Sequence, residues 1–350
     1  MDGAFWHNPS RMILRDARPD EIDLILAHTH ALWADGLELD SYREYIRTLM
    51  QSHWARRGDR RYRFMVLADE AGAGVVGGMK LYRFAARLDE DPLFCGGIGA
   101  VFTLRQHRGR GHAAQMIRRA HEIMAQRGDS LSLLFSEIGS VYYARLGYRV
   151  LPSHAVRIEV PAGAGAPSAA AGKPAEAPRR MHRGELDTVI RIREKEDSSS
   201  AFALTRDRDY WQHLLARASY PTLWLGAEAW ESRLMLLGTG EQAGYLWACF
   251  GSEHSGSGGR ILEMGEMQPG TALPALLDDL FQECRRRGVS AVEAWIPSAI
   301  ATRDPRLAPP AATSVEPPQV VPMWLPFDAE AAFDLGRHEQ AARFHLSDLF

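Results

Sequence analysis

The sequence predicts a mixed α/β protein with mainly antiparallel sheets, arranged as two similar halves in tandem. Three observations point there. Apolar runs of strand length alternate with apolar stripes at helical spacing. The same order of runs and stripes appears twice, as a repeat of pattern without a repeat of residues. Between the copies lies VPAGAGAPSAAAGKPAEAPRR, residues 160–180, where Ala, Gly and Pro displace the aliphatic and aromatic residues that a packed element needs. The expected division is a first domain at 1–160, a linker at 161–180 and a second, degenerate domain at 181–350.

The first half reads strand RMILRDA, helices PDEIDLILAHTHALW and SYREYIRTLMQSHWA, strands RFMVLADE and VVGGMKLYRF around AGAG, then strand FCGGIGAVFT. A glycine- and arginine-rich loop, QHRGRGHA at 106–113, follows. Ala113, Met116, Ile117, Ala120, Ile123 and Met124 then recur at three- and four-residue spacing, which predicts one apolar helical stripe, and Gly128 is a natural stop. LSLLF is a buried strand, SVYYARLG a short helix, and YRVLP with AVRIEV closes the half. Beyond the linker come helices near 184–196 and 207–218, strands TLWLGAE, RLMLLG, AGYLWACF and RILEMGEM, helix ALPALLDDLFQECRRRG and strand AVEAWIP. A proline-rich stretch near 305–318 leads into QVVPMWLPF and an amphipathic terminal helix ending SDLF.

Composition excludes several classes. With 350 residues, 46% of them hydrophobic, and a net charge of −3, the chain has apolar material for two ordinary domains and no global bias toward nucleic acid. No stretch reaches the roughly 18 apolar residues of a membrane helix, and MDGAFWHNPSR lacks a signal-peptide pattern, so the expected setting is cytoplasmic, without membrane partners. Cys95, Cys249 and Cys284 are far apart and fit no metal-ligand spacing; buried thiols are expected. No metal site is expected from His28 and His30 either, because helical neighbours two apart diverge.

QHRGRGHA runs from a strand into a helix N-terminus, where unpaired backbone N–H groups and the helix dipole favour an anion. Gly109 and Gly111 remove side chains that block close approach of a phosphate, while His107, Arg108 and Arg110 add donors and charge. The plain alternative is a tight turn with solvated arginines. GRGHAA also satisfies the G-x-G-x-x-A dinucleotide pattern, with Glu137 at the end of the next strand as a ribose-binding acid. Against that reading, TLRQHR separates the strand from Gly109, and the loop sits about a hundred residues into a half with several hairpins.

Residues 98–150 resemble the GCN5-related N-acetyltransferase (GNAT) family. Its Q/R-x-x-G-x-G/A motif appears as Gln106-His107-Arg108-Gly109-Arg110-Gly111, followed by His112 and Ala113. Its aromatic-Tyr-x-x-x-Gly-aromatic segment appears as Tyr142-Tyr143-Ala144-Arg145-Leu146-Gly147-Tyr148. WADGLELDSY, VFTLRQHRGRGHA and LLFSEIGSVYYARLGY further resemble the branch of fungal lysine ε-acetyltransferases and their bacterial relatives.

The resemblance implies two GNAT-like domains, acetyl-CoA as acyl donor and a primary amine of a small molecule or amino acid as acceptor, joined in a ternary complex. Backbone groups of Val101, Phe102 and Thr103 would pair with the pantetheine arm, and those from Arg108 to Ala113 would take the pyrophosphate. Arg105, Arg118 and Arg119 are candidates for the adenosine-side phosphate. Tyr143 matches the general acid; a phenol stays protonated at neutral pH and can protonate a thiolate. Candidate bases are Glu137, His28, His30 and, through the terminal carboxylate, Phe350. Asp35, Glu38 and Asp40 are candidates to attract a cationic amine. Acylation of a protein lysine, a longer acyl group, or a non-catalytic CoA-binding module are the alternatives. One cofactor per chain is expected, because ILEMGEM leads into QPGTALP, where Glu263 and Glu266 replace the basic cluster and Pro274 deletes a donor.

Overall fold

The computed structural model describes residues 12–34, 36–58, 60–69, 74–151, 155–162, 176–251, 258–308, 311–314, 320–327, 344–345 and 348. In chain order β1 (Met12–Asp16), α1 (Pro19–Trp33), α2 (Leu39–Met50), β2 (Tyr62–Asp69), β3 (Val75–Leu88) and β4 (Asp91–Thr103) come first. α3 (His112–Gln126), β5 (Leu131–Ser136), α4 (Val141–Ala144), β6 (Arg149–Val150) and β7 (Ala155–Glu159) follow. After residue 175 come β8 (Arg179–Arg180), α5 (Leu186–Asp197), β9 (Phe202–Leu204), α6 (Arg208–Ser219), α7 (Thr222–Leu225), β10 (Glu231–Leu237) and β11 (Gly244–Phe250). The last elements are β12 (Gly259–Glu266), α8 (Leu273–Arg286), β13 (Ala291–Trp295), α9 (Ser298–Ala301), β14 (Ala312–Ser314) and β15 (Val321–Pro326).

Two sheets result, ordered β1-β2-β3-β4-β5-β15-β6, with β9 beside β3, and β14-β7-β13-β12-β11-β10-β8. Pairing is antiparallel except for β4 with β5 and β12 with β13. Each parallel pair is joined through a helix, α3 in one sheet and α8 in the other, which is the repeated pattern in structural form. The sheets also exchange strands. β7, which precedes the Ala/Gly/Pro stretch, pairs with β13 from Ala155↔Trp295 to Ala291↔Glu159. β15, near the C-terminal end, lies between β5 and β6, with Val321 opposite Ser136 and Met323 opposite Val150.

α3 packs on one face of the first sheet through Met116, Ile117, Ala120 and Met124, against Met65, Met79 and Leu81. Gly96 in β4 makes this approach possible: a Cβ there would come within 2.4 Å of the Met124 sulfur. The opposite face carries Tyr62, Tyr82 and Phe84 and shares one aromatic core with Trp211, Tyr245 and Trp247 of the second half. All three cysteines are buried and unbridged.

One expected strand is a helix. TLWLGAE forms the single turn α7, because Pro221 takes the helical conformation at its start and Gly226, with φ 81°, ends it. Trp224 packs on Tyr45 and Tyr220, while Leu223 is exposed. Most of the expected terminal helix, and Phe350, lie outside the described residues. Asp348, fully buried, accepts from the Arg206 guanidinium and from the His345 N–H at 2.8 Å.

Candidate active site

β4 and β5 pair only from Cys95↔Leu131 to Ile98↔Leu134. Beyond Ile98 the two strands no longer pair, although β5 stays paired with β15 on its other edge through Ser136 and β4 runs on to Thr103 beside β3. A bulge marks the change: Ala100 has φ 47°, and the register with β3 shifts between Gly78 and Lys80. Among the described residues, β4 therefore has no strand partner on its β5-facing edge at Val101, Phe102 and Thr103.

The chain then makes a 3₁₀ turn at Arg105–His107 and enters α3. Gly109 and Gly111 have φ 76° and 78°, the left-handed region that favours glycine, and the space where each Cβ would stand is open. Gly111 is the N-cap and supplies no side-chain hydrogen bond. The first intrahelical acceptance is Gln115 N–H to Gly111 O at 3.1 Å, which leaves the N–H groups of His112, Ala113 and Ala114 ahead of it. His112 Nδ1 is buried without a hydrogen-bond partner. Open space, uncapped donors and the dipole make this helix end a cradle for an anion. Arg108 turns back and donates to Thr103 O at 3.1 Å, bracing the loop, whereas Arg105, Gln106 and Arg110 are exposed. Arg119 pairs with Glu122.

α4 sets Tyr143 on the apolar cluster that α3 builds. Val101, Ala113, Tyr142 and Tyr143 all pack against the cluster containing Met116 and Ile117. Tyr148 anchors the segment: its buried hydroxyl lies 2.6 Å from Ser132 Oγ and 2.9 Å from His121 Nε2. Gly147, at φ 95°, makes the bend between them. Burial, with Tyr142 and the charge of Glu137 adding to it, pushes the Tyr143 phenol up to about 12. The phenol therefore keeps its proton over the whole physiological range.

Glu137 is exposed and accepts from Trp33 Nε1 at 3.3 Å, so the end of α1 holds it beside α4. Sequence reading missed Trp33; its signal was an indole at the last position of an amphipathic helix, where a polar tip can reach out. His28 is exposed and stacks on Phe102 with centroids 6.3 Å apart. His30 faces elsewhere, its Nε2 bound 2.7 Å from Leu37 O, so it ties the α1–α2 turn. Asp40 pairs with Arg43, Glu38 is the N-cap residue of α2, and Asp35 lies outside the described residues.

Fold and geometry together define a class: an α/β domain whose parallel strand pair, unpaired at one end, leads into an anion-accepting helix terminus. Residues 14–151 match the family model described as an acetyltransferase (GNAT) domain. A GCN5-related N-acetyltransferase from Anabaena variabilis ATCC 29413 has the same fold, with TM-score 0.64 at 16% identity over 92% of this chain and 74% of its own. One from Kribbella flavida gives 0.64 at 18% identity over 92% and 73%. Saccharomyces cerevisiae N-myristoyltransferase, solved with bound myristoyl-CoA, gives 0.54 at 8% identity over 90% and 82%. No curated protein matches the sequence. No described helix is long and apolar enough to cross a membrane.

Proposed function

We propose that the protein is an acetyl-CoA-dependent N-acetyltransferase that acts on a primary amine of a small molecule or amino acid, with its chemistry in the first half. One observation carries the reading: the unpartnered edge of β4 leads straight into the uncapped start of α3, while Val101, Ala113 and Tyr143 pack on one apolar cluster. The N–H groups from Arg108 to Ala113, with the open space over Gly109 and Gly111, suit a pyrophosphate, and the backbone of Val101, Phe102 and Thr103 suits the pantetheine amides. Acetyl-CoA would supply an acetyl thioester. Gln106 and Arg110 stand at the rim to meet phosphate charge.

Glu137 takes a proton from the acceptor ammonium, directly or through water, and the freed amine attacks the thioester carbonyl. A strand N–H of β4 steadies the oxyanion. Tyr143 gives its proton to the departing thiolate and is restored by the proton that the newly acylated nitrogen sheds, so one N–C bond forms, one C–S bond breaks, and the one net proton released is that taken up by Glu137. Buried free thiols at Cys95, Cys249 and Cys284 accord with a cytoplasmic setting. Kinship with fungal lysine ε-acetyltransferases belongs to the same proposal and rests on the three segments quoted above.

Incubation with acetyl-CoA and a panel of amines, read by free-thiol release and by mass of the product, tests the reading. Turnover with small amines supports it. Turnover only with protein lysines or longer acyl-CoAs moves the acceptor or donor class, and tight CoA binding without turnover makes the protein a CoA-binding module.

A further inference from the structure

Between α2, β2, β3 and α6 lies a cavity of about 190 Å³ whose walls include Trp54, Tyr62, Tyr82, Phe84 and Tyr210. Two cationic side chains line it as well, Lys80 from β3 and Arg217 from α6. The Lys80 ammonium lies 6.0 Å from the Tyr62 ring centre and 5.8 Å from that of Phe64. Among the described residues, no carboxylate lies within ion-pair reach of it.

That is an unusual place for a lysine. Only Lys80, Lys173 and Lys195 are lysines among 41 Lys and Arg residues, and of the two that are described Lys80 sits inside a strand and Lys195 in α5. Burial, with the charge of Arg217 adding to it, pushes Lys80 down to about 8, and no acid offsets this. The nearby imidazole does not neutralise it: His213 bonds Ser52 Oγ through Nδ1 at 2.9 Å, and burial pushes it down to about 3. Ring faces compensate a desolvated ammonium only in part. An anion completes the arrangement.

The cavity adjoins the candidate active site at two points. Trp33 lines it and also donates to Glu137. Lys80 sits opposite Gly99 of β4, next to the bulge at Ala100. A cavity of about 150 Å³ holds a benzene ring, so this one takes a flat ring bearing a small acid group.

We propose that the cavity is an anion-recognising pocket in which Lys80, beside Arg217, binds the carboxylate of a ligand with an aromatic body. This ligand is the acceptor, an amine that also carries an acid group; that assignment rests on the acetyltransferase reading, whereas the anion site does not. A polycationic acceptor is disfavoured by the same charges.

Benzoate, benzyl alcohol and benzylamine titrated into the full chain at one ionic strength, followed by tryptophan fluorescence and calorimetry, test the site. Benzoate is expected to bind about tenfold or more tighter than the other two. Lys80→Met should remove that preference, leave benzyl alcohol within about twofold, and leave acetyl-CoA binding unchanged. Lys80→Arg, which keeps a charge, serves as the second variant if Lys80→Met fails to fold. Equal binding of benzoate and benzyl alcohol by the parent, or a preference that survives Lys80→Met, overturns the site. For the acceptor, para-aminomethylbenzoate should be acetylated with higher kcat/KM than benzylamine, and the advantage should vanish in Lys80→Met. Benzoate binding without acetylation of any amine would fail the acetyltransferase reading and leave the anion site standing. Acetylation of amines with no carboxylate preference would do the reverse.

Discussion

The carboxylate of Glu266 accepts the backbone N–H of Leu273 at 3.1 Å, and also those of Ala272 at 3.1 Å and Gly270 at 2.5 Å. α8 stands in the second sheet where α3 stands in the first, between the members of a parallel strand pair. The N–H groups of Ala272 and Leu273 at its start are thus already taken by a side chain of its own half. Pro274, at the first turn, has no N–H to offer. Glu263 is buried between Arg193 and Arg206. Native mass spectrometry should therefore count one acetyl-CoA per chain, and Glu266→Ala should lower stability by about 1–3 kcal/mol, because it orphans buried donors, without creating a second site. A second equivalent in the parent protein would refute the assignment of α8 as closed.

Gly109→Val and Gly111→Val each force a branched side chain into a left-handed backbone conformation and fill space that is open in the parent. Calorimetric titration is expected to show acetyl-CoA affinity reduced by about tenfold or more. Equal affinity would reduce the loop to a tight turn, and binding of NAD would revive the dinucleotide reading.

Tyr143→Phe removes a proton donor while keeping the ring that packs on Tyr142 and Tyr148. Turnover should fall by on the order of 10², with acetyl-CoA binding retained. Because Tyr143 is pushed up to about 12, its protonated form persists in alkali, and the parent's rate should show no alkaline decline from this residue below about pH 10. Full turnover by the folded variant would remove Tyr143 from the mechanism.

Lys80 also predicts a pH dependence of stability. Its folded pKa is lowered to about 8, against about 10.4 unfolded, so the unfolded chain binds more protons between these values. The contribution of this group to stability therefore rises with pH through that window and is lost as pH falls through 8. Over the same window Tyr62, Tyr82 and Tyr210, all pushed up by burial, stay neutral, as does His213. Lys80→Met should melt higher than the parent at pH 7, with the gap narrowing toward pH 9.5. A gap that does not change with pH would show that the ammonium is not desolvated in solution.

A chain truncated after residue 160 loses β15, and with it the partner of β5 on the side away from β4. β7 loses β13 and β14. Exposed strand edges of this kind associate, so the fragment should elute as aggregate in size-exclusion chromatography. A monomeric, acetyl-CoA-binding fragment would show that the first sheet closes without β15.

Local pattern determined much of this protein. The alternation in RFMVLADE, the stripe from Ala113 to Met124 and the run LSLLF each depend on neighbours a few residues away, and each lies where periodicity puts it. The glycines at 109 and 111 were legible because a positive φ at a strand-to-helix junction leaves little else possible. Where the strands went was decided in three dimensions. An apolar run such as VPMWLP carries no record of which sheet will bury it, so the placement of β15 beside β5, and of β7 beside β13, follows from sheet closure. The cavity around Lys80 was equally hidden, because α2, β3 and α6 meet across more than a hundred residues of sequence. A lysine in a strand reads as an edge or surface charge until the rings around it are placed, and only packing decides that it is surrounded.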